Sequence, residues 1–129
     1  MATEHLQRRL LSPIEGRDLL DRTEPLFAGL LKRDPALAGW YSIGAGNRSF
    51  QAALLASGRV QHVGSVCHEL MPYARRALLD GVADAVVNQD CGHEVRCACR
   101  LALARLSGEP VLPGQERIRI DIFLKDNLP

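Results

Sequence analysis

The chain has 129 residues, a formal net charge of +1, 47% apolar residues and 24% charged residues. This length predicts one globular domain with a core of its own. The near-neutral charge gives no support for a broad nucleic-acid-binding surface or a polybasic membrane patch, and no apolar run approaches a bilayer span. The N-terminal residues MATEHLQRRL lack the apolar stretch of a secretory signal, so we expect a cytoplasmic protein with no membrane partner.

The first half of the chain alternates helical and extended patterns. In chain order, the predicted elements are a helix end at 2–9, a strand at Leu10–Ile14, a helix over 23–33, a strand at Leu37–Ile43, a helix at Asn47–Ser57 and a strand at Gln61–Val66. Pro13 interrupts the first strand. Asp21 or Thr23 is expected to cap the first complete helix, and helical spacing predicts that its apolar face is buried.

The second half continues this alternation. The predicted elements are a helix at Pro72–Leu79, a strand at Asp84–Val87, a helix at Cys91–Leu106, a loop at Ser107–Gln115 and a strand at Arg117–Phe123. Asp90 stands at the N-cap position of the long helix, and Gly108 is expected to end it. The last strand alternates apolar and charged residues, which is typical of a sheet edge.

Three apolar runs stop at small or polar residues and are each followed by a helical stretch. Trp40–Ile43 leads into Gly44-Ala45-Gly46-Asn47, Val63–Val66 into Cys67-His68-Glu69, and Ala83–Val87 into Asn88-Gln89-Asp90. This rhythm predicts a three-layer α/β sandwich with a mostly parallel sheet, of about four parallel strands plus the edge strand. Open sheets of this kind bind ligands beyond the carboxyl ends of their strands, so these three ends are the first candidates for function.

The residues at these ends are compatible with several chemistries. Gly44-Ala45-Gly46-Asn47 lacks the third glycine of a dinucleotide fingerprint, because Ser49 stands there. The alternatives are a tight turn that needs glycine and an Asn47 amide that bonds sugar hydroxyls. Gln89 carries a long amide at a strand end, where either a ligand or loop backbone could satisfy it.

Metal and nucleophile sites match the sequence less well. Cys67-His68-Glu69 and His93-Glu94 fit no standard zinc spacing. Adjacent residues of a strand point in opposite directions, which argues against a Cys67–His68 nucleophile pair. The four cysteines include no C-x-x-C pair, so reduced thiols are expected. We expect no catalytic residue, metal or cofactor.

Four segments together resemble the effector-binding domain of lac-repressor-type (LacI/GalR) transcription regulators. They are GWYSIGAGN at Gly39–Asn47, CHEL at Cys67–Leu70, RALLDGVADAVVNQD at Arg76–Asp90 and RIDIFLKDNLP at Arg119–Pro129. The resemblance covers most of the chain from about residue 10. It implies the fold of the type I periplasmic sugar-binding proteins, in which two lobes close on a small molecule, usually a sugar or sugar derivative.

The resemblance also implies ligand-binding residues. The family's Asn-Asp pair falls on Gly46 and Asn47, its acidic strand-end residue on Glu69 beside His68, and its hinge glutamine on Gln89. Glycine at 46 and glutamate at 69 depart from the common pattern. The resemblance therefore implies that Asn47, His68, Glu69 and Gln89 bind the effector.

A whole regulator also needs a helix-turn-helix head, an N-terminal lobe and the start of the C-terminal lobe. None of these is apparent, so residues 1–129 are expected to be one partial effector-binding domain that reaches operator DNA only through the missing head. The family's segment after Gln89 crosses to the other lobe. We therefore expect the stripe Val95, Cys99, Ala102, Leu103 and Leu106 to be exposed here, and the chain to form a homodimer that covers it. The alternatives are a small α/β enzyme that uses His68, Glu69 and Glu94, and an oligomerisation module without a ligand.

Overall fold

The computed structural model describes residues 9–17, 19–44 and 46–129. Its helices and strands, in chain order, are α1 Leu20–Arg33, β1 Gly39–Ser42, α2 Asn47–Ala56, β2 Gly64–His68, α3 Pro72–Leu79, β3 Ala85–Gln89, α4 Cys91–Ser107 and β4 Ile120–Phe123. Short 3₁₀ turns lie at Val60–His62 and Lys125–Asn127. The predicted helix end at 2–9 lies outside the described residues except for Arg9, which is not helical.

The strands form one sheet in the order β1-β2-β3-β4. β1, β2 and β3 are parallel, and β4 runs antiparallel to β3 at the sheet edge. The α/β class, the mostly parallel sheet and the edge position of the last strand are confirmed. The sheet is mostly parallel because α2 and α3 are crossover helices that return the chain to the same end of the sheet.

Two local predictions were wrong. Leu10–Ile14 forms no strand, so the described residues contain three parallel strands rather than about four. Pro13 lacks a backbone donor, and Leu10 is almost fully exposed, so nothing there favours pairing. Helix α1 begins at Leu20 after Leu19, and no side chain caps it. Thr23 lies inside α1, where its hydroxyl is hydrogen-bonded to the Leu19 carbonyl and to the Ser49 hydroxyl of α2.

The first core cluster joins α1, α2 and β1 through aromatic rings. Trp40 stacks on Phe50 with ring centroids 3.6 Å apart, and Phe27 meets both rings edge-on at 5.7 and 5.1 Å. The indole of Trp40 donates to Ser65 Oγ at 2.6 Å, so its polar group is satisfied inside the sheet. The apolar face predicted for the first helix, Leu26, Phe27, Leu30 and Leu31, is thus buried except for Leu26, which is 41% exposed.

The second cluster joins α3 to β2 and β3. Cys67 and Val86 are fully buried side by side, and Ala74 and Leu78 of α3 pack on them. The pairing register places Trp40, Ser65, Cys67, Val86 and Phe123 on one face of the sheet. Helices α1, α2 and α3 therefore all cover that one face, and the described residues do not form the third layer of the predicted sandwich.

Helix α4 matches its prediction closely and packs very little. The Asp90 side chain accepts from the His93 backbone N–H at 2.8 Å, which confirms the N-cap, and Gly108 at φ 72° ends the helix. Cys97 is its one buried residue. Val95 is 63% exposed, Leu103 65% and Leu106 86%, so the expected exposure of this stripe is confirmed.

Candidate functional site

The predicted site residues lie along the carboxyl edge of the three parallel strands. Asn47 begins α2 just after β1, His68 ends β2 and is followed by Glu69, and Gln89 ends β3. His68 pairs with Val87, two residues before Gln89, so the ends of β2 and β3 are adjacent. The structure brings these four residues to one edge because parallel strands share their direction.

Asn47 connects two of these strand ends. Its amide Nδ2 donates to the main-chain carbonyl of His68 at 3.0 Å, and the side chain is fully buried. The other amide atom, Oδ1, is buried and accepts no hydrogen bond from the described residues. In this conformation Asn47 holds α2 against β2 and has no surface to present to a ligand.

His68 is half-buried and has an aromatic neighbour that sequence reasoning missed. The Tyr41 hydroxyl is hydrogen-bonded to His68 Nε2, and the two rings meet edge-on with centroids 5.2 Å apart. Tyr41 pairs with Val66, two residues before His68, so both side chains lie on the same face of the sheet. The sequence did carry a signal for this contact, because residues two positions apart in a strand lie on the same face of the sheet. The pair presents an aromatic ring and an imidazole at the sheet edge.

Glu69 adopts a left-handed backbone conformation, with φ 67°. Its N–H donates to the Val87 carbonyl at 2.9 Å, and its carbonyl accepts from the Met71 N–H at 2.8 Å. For a residue with a Cβ, the left-handed conformation costs roughly 1 kcal/mol or more. Such strain clusters at functional sites. Asn88 supports the turn, because its Oδ1 accepts from the Leu70 N–H at 3.0 Å.

Cys67 and His68 lie on opposite faces of the sheet. Cys67 is fully buried on the helix-covered face, and burial raises the pKa of its thiol to about 11, so it is not a thiolate paired with His68. Within the described residues, no three His, Cys, Asp or Glu side chains could hold a metal ion together. His68, Glu69 and Glu94 share no hydrogen bond anywhere in the described ranges.

The tight-turn interpretation predicts that position 46 needs glycine, but its backbone conformation is one that other residues adopt. Its φ is −68°, and an added Cβ would lie 3.4 Å from a Phe27 ring carbon, which is an ordinary contact. Helix α2 starts beside this residue without a side-chain cap or an acidic residue in its first turn.

A second polar cluster fixes α4 to the loop before β4. Arg100 donates to both carboxylate oxygens of Glu116, at 2.7 and 3.0 Å, and these bonds hold the pKa of Glu116 below its ordinary value. His93 Nε2 lies 3.1 Å from the Arg117 carbonyl and 3.3 Å from Cys97 Sγ. Desolvation raises the pKa of Cys97, so this thiol is a packed structural group.

Two shallow cavities lie elsewhere. One, of about 440 Å³, lies between residues 9–12 and the end of α1, and the other, of about 250 Å³, between α4 and residues 109–116. Neither is lined by the predicted site residues. Among the described residues, no helix combines the length and apolarity needed to cross a membrane.

Comparison with solved structures identifies the fold as that of a type I periplasmic-binding-protein lobe. GanP, a glucose-galactose binding protein from Geobacillus stearothermophilus, superposes with a TM-score of 0.83 at 17% identity, over 94% of this chain and 43% of that one. A solute-binding protein from Agrobacterium vitis with bound D-fucose gives 0.77 at 15% identity, over 91% and 40%. A sugar-binding protein from Bacillus halodurans gives 0.77 at 17% identity, over 97% and 47%.

The chain thus spans between two fifths and one half of the length of these three proteins. The sequence matches no protein-family model, and no curated protein matches it. At these identities the likeness establishes the fold of one lobe.

Proposed function

We propose that this chain forms one wall of a cleft that binds a sugar or a sugar derivative. The observation that carries the proposal is the row His68, Glu69 and Gln89 at the carboxyl edge of the parallel strands, where open α/β folds bind ligands. An imidazole, a carboxylate and an amide together donate and accept hydrogen bonds, as sugar hydroxyls require.

Strain at Glu69 supports its role in this row. A left-handed glutamate is kept at the end of β2 although glycine would avoid the conformational penalty. Tyr41 adds an aromatic surface beside His68, against which the apolar face of a sugar ring could pack. Asn47 acts as a positioning residue, because it fixes the His68 carbonyl and the start of α2 from a buried position.

In the larger context we propose that the wall belongs to the effector domain of a lac-repressor-type transcription regulator. Closure of two lobes on the effector would shift the equilibrium between conformations of a cytoplasmic dimer, and a helix-turn-helix head outside these residues would bind the operator. The four sequence segments that resemble this family support the assignment. The 129-residue chain alone is then expected not to bind operator DNA.

A second candidate is the solute-binding component of a sugar transporter. The names of the structural neighbours favour it, since they are described as transporter or sugar-binding proteins. Cell fractionation of the native protein separates the two candidates. A regulator stays in the cytoplasm, whereas a solute-binding protein is exported.

Sugar binding itself is tested by thermal unfolding of the chain with millimolar D-glucose, D-galactose, D-fucose and sugar acids. A ligand that binds only the folded state raises Tm by an amount that grows with the logarithm of its concentration relative to Kd, and half a cleft should bind weakly. We expect a rise for wild type and for the control Glu109→Gln in the exposed loop, and none for Glu69→Gln. If no sugar or sugar acid raises Tm, the ligand assignment is wrong; if a sugar is consumed, the enzyme alternative is favoured.

A further inference from the structure

One face of the sheet has no helical layer. The strand residues that alternate with the buried ones are Gly39, Tyr41, Gly64, Val66, His68, Ala85, Val87, Gln89, Ile120 and Ile122, and none of them is buried. Tyr41 is 61% exposed and Ile122 60%. We call the apolar part of this surface, formed by Tyr41, Val66, Val87, Ile120 and Ile122, the open face. Parallel sheets are otherwise found covered on both faces.

Helix α4, in contrast, has an apolar stripe that packs on no sheet. Its apolar residues Val95, Cys99, Ala102, Leu103 and Leu106, here called the α4 stripe, recur at helical spacing and are all exposed. The Arg100–Glu116 ion pair and the contact of His93 with the Arg117 carbonyl join this helix to the loop before β4. Each copy therefore carries a sheet face that lacks a helix and a helix that lacks a sheet.

The two surfaces also agree in size. The α4 stripe extends over 11 residue steps, which is about 16 Å at 1.5 Å per residue. The five-residue strands β2 and β3 are each about 16 Å long at 3.3 Å per residue. A net charge of +1 leaves little repulsion between copies.

We propose that two copies of this chain form a symmetric dimer in which the α4 stripe of each packs on the open face of the other. Twofold symmetry makes the same contact twice, so the interface gains the area that a single helix would not provide. Each sheet thereby acquires the helical layer that its second face lacks. The open face includes Tyr41, which the proposed sugar site also uses, so the assembly is tested without sugar and through Leu103 and Ile122, which lie outside that site.

Sedimentation of the 129-residue chain over a wide concentration range tests this pairing. Wild type should be dimeric, and Leu103→Glu and Ile122→Lys should each shift the chain to monomer, because a charge then faces an apolar surface in both contacts. Both side chains are mostly exposed in the single copy, so the monomer should keep its fold by circular dichroism. The matched control is Leu55→Glu, which is 57% exposed like Ile122 but lies on α2, on the helix-covered side of the sheet; it should remain dimeric.

An equimolar mixture of Leu103→Glu and Ile122→Lys gives the decisive result. In a mixed dimer one contact pairs the new carboxylate with the new ammonium, and the other contact is wild type, so dimers should return. Pairing of α4 with α4 would give no such rescue. A wild-type chain that is monomeric at every concentration, or a mixture that stays monomeric while wild type dimerises, would overturn the proposal.

Discussion

The side chain of Asn47 donates a hydrogen bond to the main-chain carbonyl of His68, with 3.0 Å between Nδ2 and the oxygen. This bond connects the start of α2 to the end of β2 at the place where the polar strand-end residues gather. Because Asn47 is fully buried, its loss leaves a carbonyl without a partner away from water. The geometry of the proposed cleft wall depends on this buried amide.

Asn47→Ala should lower the free energy of unfolding by about 1–3 kcal/mol, measured by urea denaturation. Asn127 is the exposed control: its Nδ2 donates to the Ile122 carbonyl at the same 3.0 Å, and its Oδ1 accepts from the Leu124 N–H at 2.6 Å. Asn127→Ala should lose less although it removes two hydrogen bonds, because water can replace both. Equal losses in both variants would show that burial of Asn47 adds nothing.

Gln51, one turn along α2, should behave in the opposite way. Its Nε2 is buried and donates to no atom among the described residues. Gln51→Met keeps the length of the side chain and removes a polar group that gains nothing from burial. We expect an unchanged or higher urea midpoint, and a loss of more than about 1 kcal/mol would mean that the amide is satisfied in solution.

Glu69→Gly should stabilise the chain while weakening sugar binding. Glycine adopts φ 67° without the steric penalty that a Cβ imposes, so the unfolding free energy should rise by up to about 1 kcal/mol. Glu69→Ala keeps the Cβ and should show no such gain, although it loses the same carboxylate. A Glu69→Gly variant that is no more stable than Glu69→Ala would remove the argument for strain at this position.

The Arg100–Glu116 pair predicts a pH-dependent stability. The hydrogen bonds from Arg100 keep the folded-state pKa of Glu116 below its ordinary 4.5. A carboxyl with a lowered folded pKa stabilises the fold above its unfolded pKa, and this contribution is lost as the pH falls through the folded pKa. Glu116→Gln should therefore be less stable than wild type at neutral pH, and the difference should shrink in acid.

This prediction is checked by urea midpoints from neutral pH down to about pH 3. Glu109→Gln changes an exposed carboxylate of the same loop that makes no ion pair in the described structure. Its midpoints should follow those of wild type at every pH. A constant gap between Glu116→Gln and wild type would show that the pair does not titrate with the fold.

The periodicity of the sequence was sufficient to predict the sheet. Strand-sized apolar runs followed by helical spacing predicted the crossovers through α2 and α3, and the alternation in the last strand predicted its edge position. The strand predicted at Leu10–Ile14 is absent. A short apolar run becomes a strand only when a neighbouring strand bonds to its backbone, and Pro13 lacks the N–H that such pairing needs. The predicted cap of α1 was wrong because Thr23 lies inside the helix and is hydrogen-bonded to Ser49 of α2. That is a tertiary contact, which no local sequence pattern encodes.

The candidate site was predictable only in part. The strand ends that carry His68, Glu69 and Gln89 follow from the parallel topology. The left-handed backbone of Glu69, the Tyr41–His68 bond and the burial of Asn47 depend on how neighbouring strands meet, which local sequence does not specify. The exposure of the α4 stripe was predicted from the family resemblance, and the bare face of the sheet was not.

The central claim is that the carboxyl edge of the parallel strands contacts a sugar, and amide chemical-shift mapping tests it most directly. The ¹⁵N-labelled chain would be titrated with D-glucose, D-galactose and D-fucose at millimolar concentrations. We predict saturable shifts of the His68, Glu69 and Gln89 amides, with little change in the loop at residues 109–116. Shifts confined to other surfaces, or none with any of these sugars or with sugar acids, would contradict the proposed cleft wall.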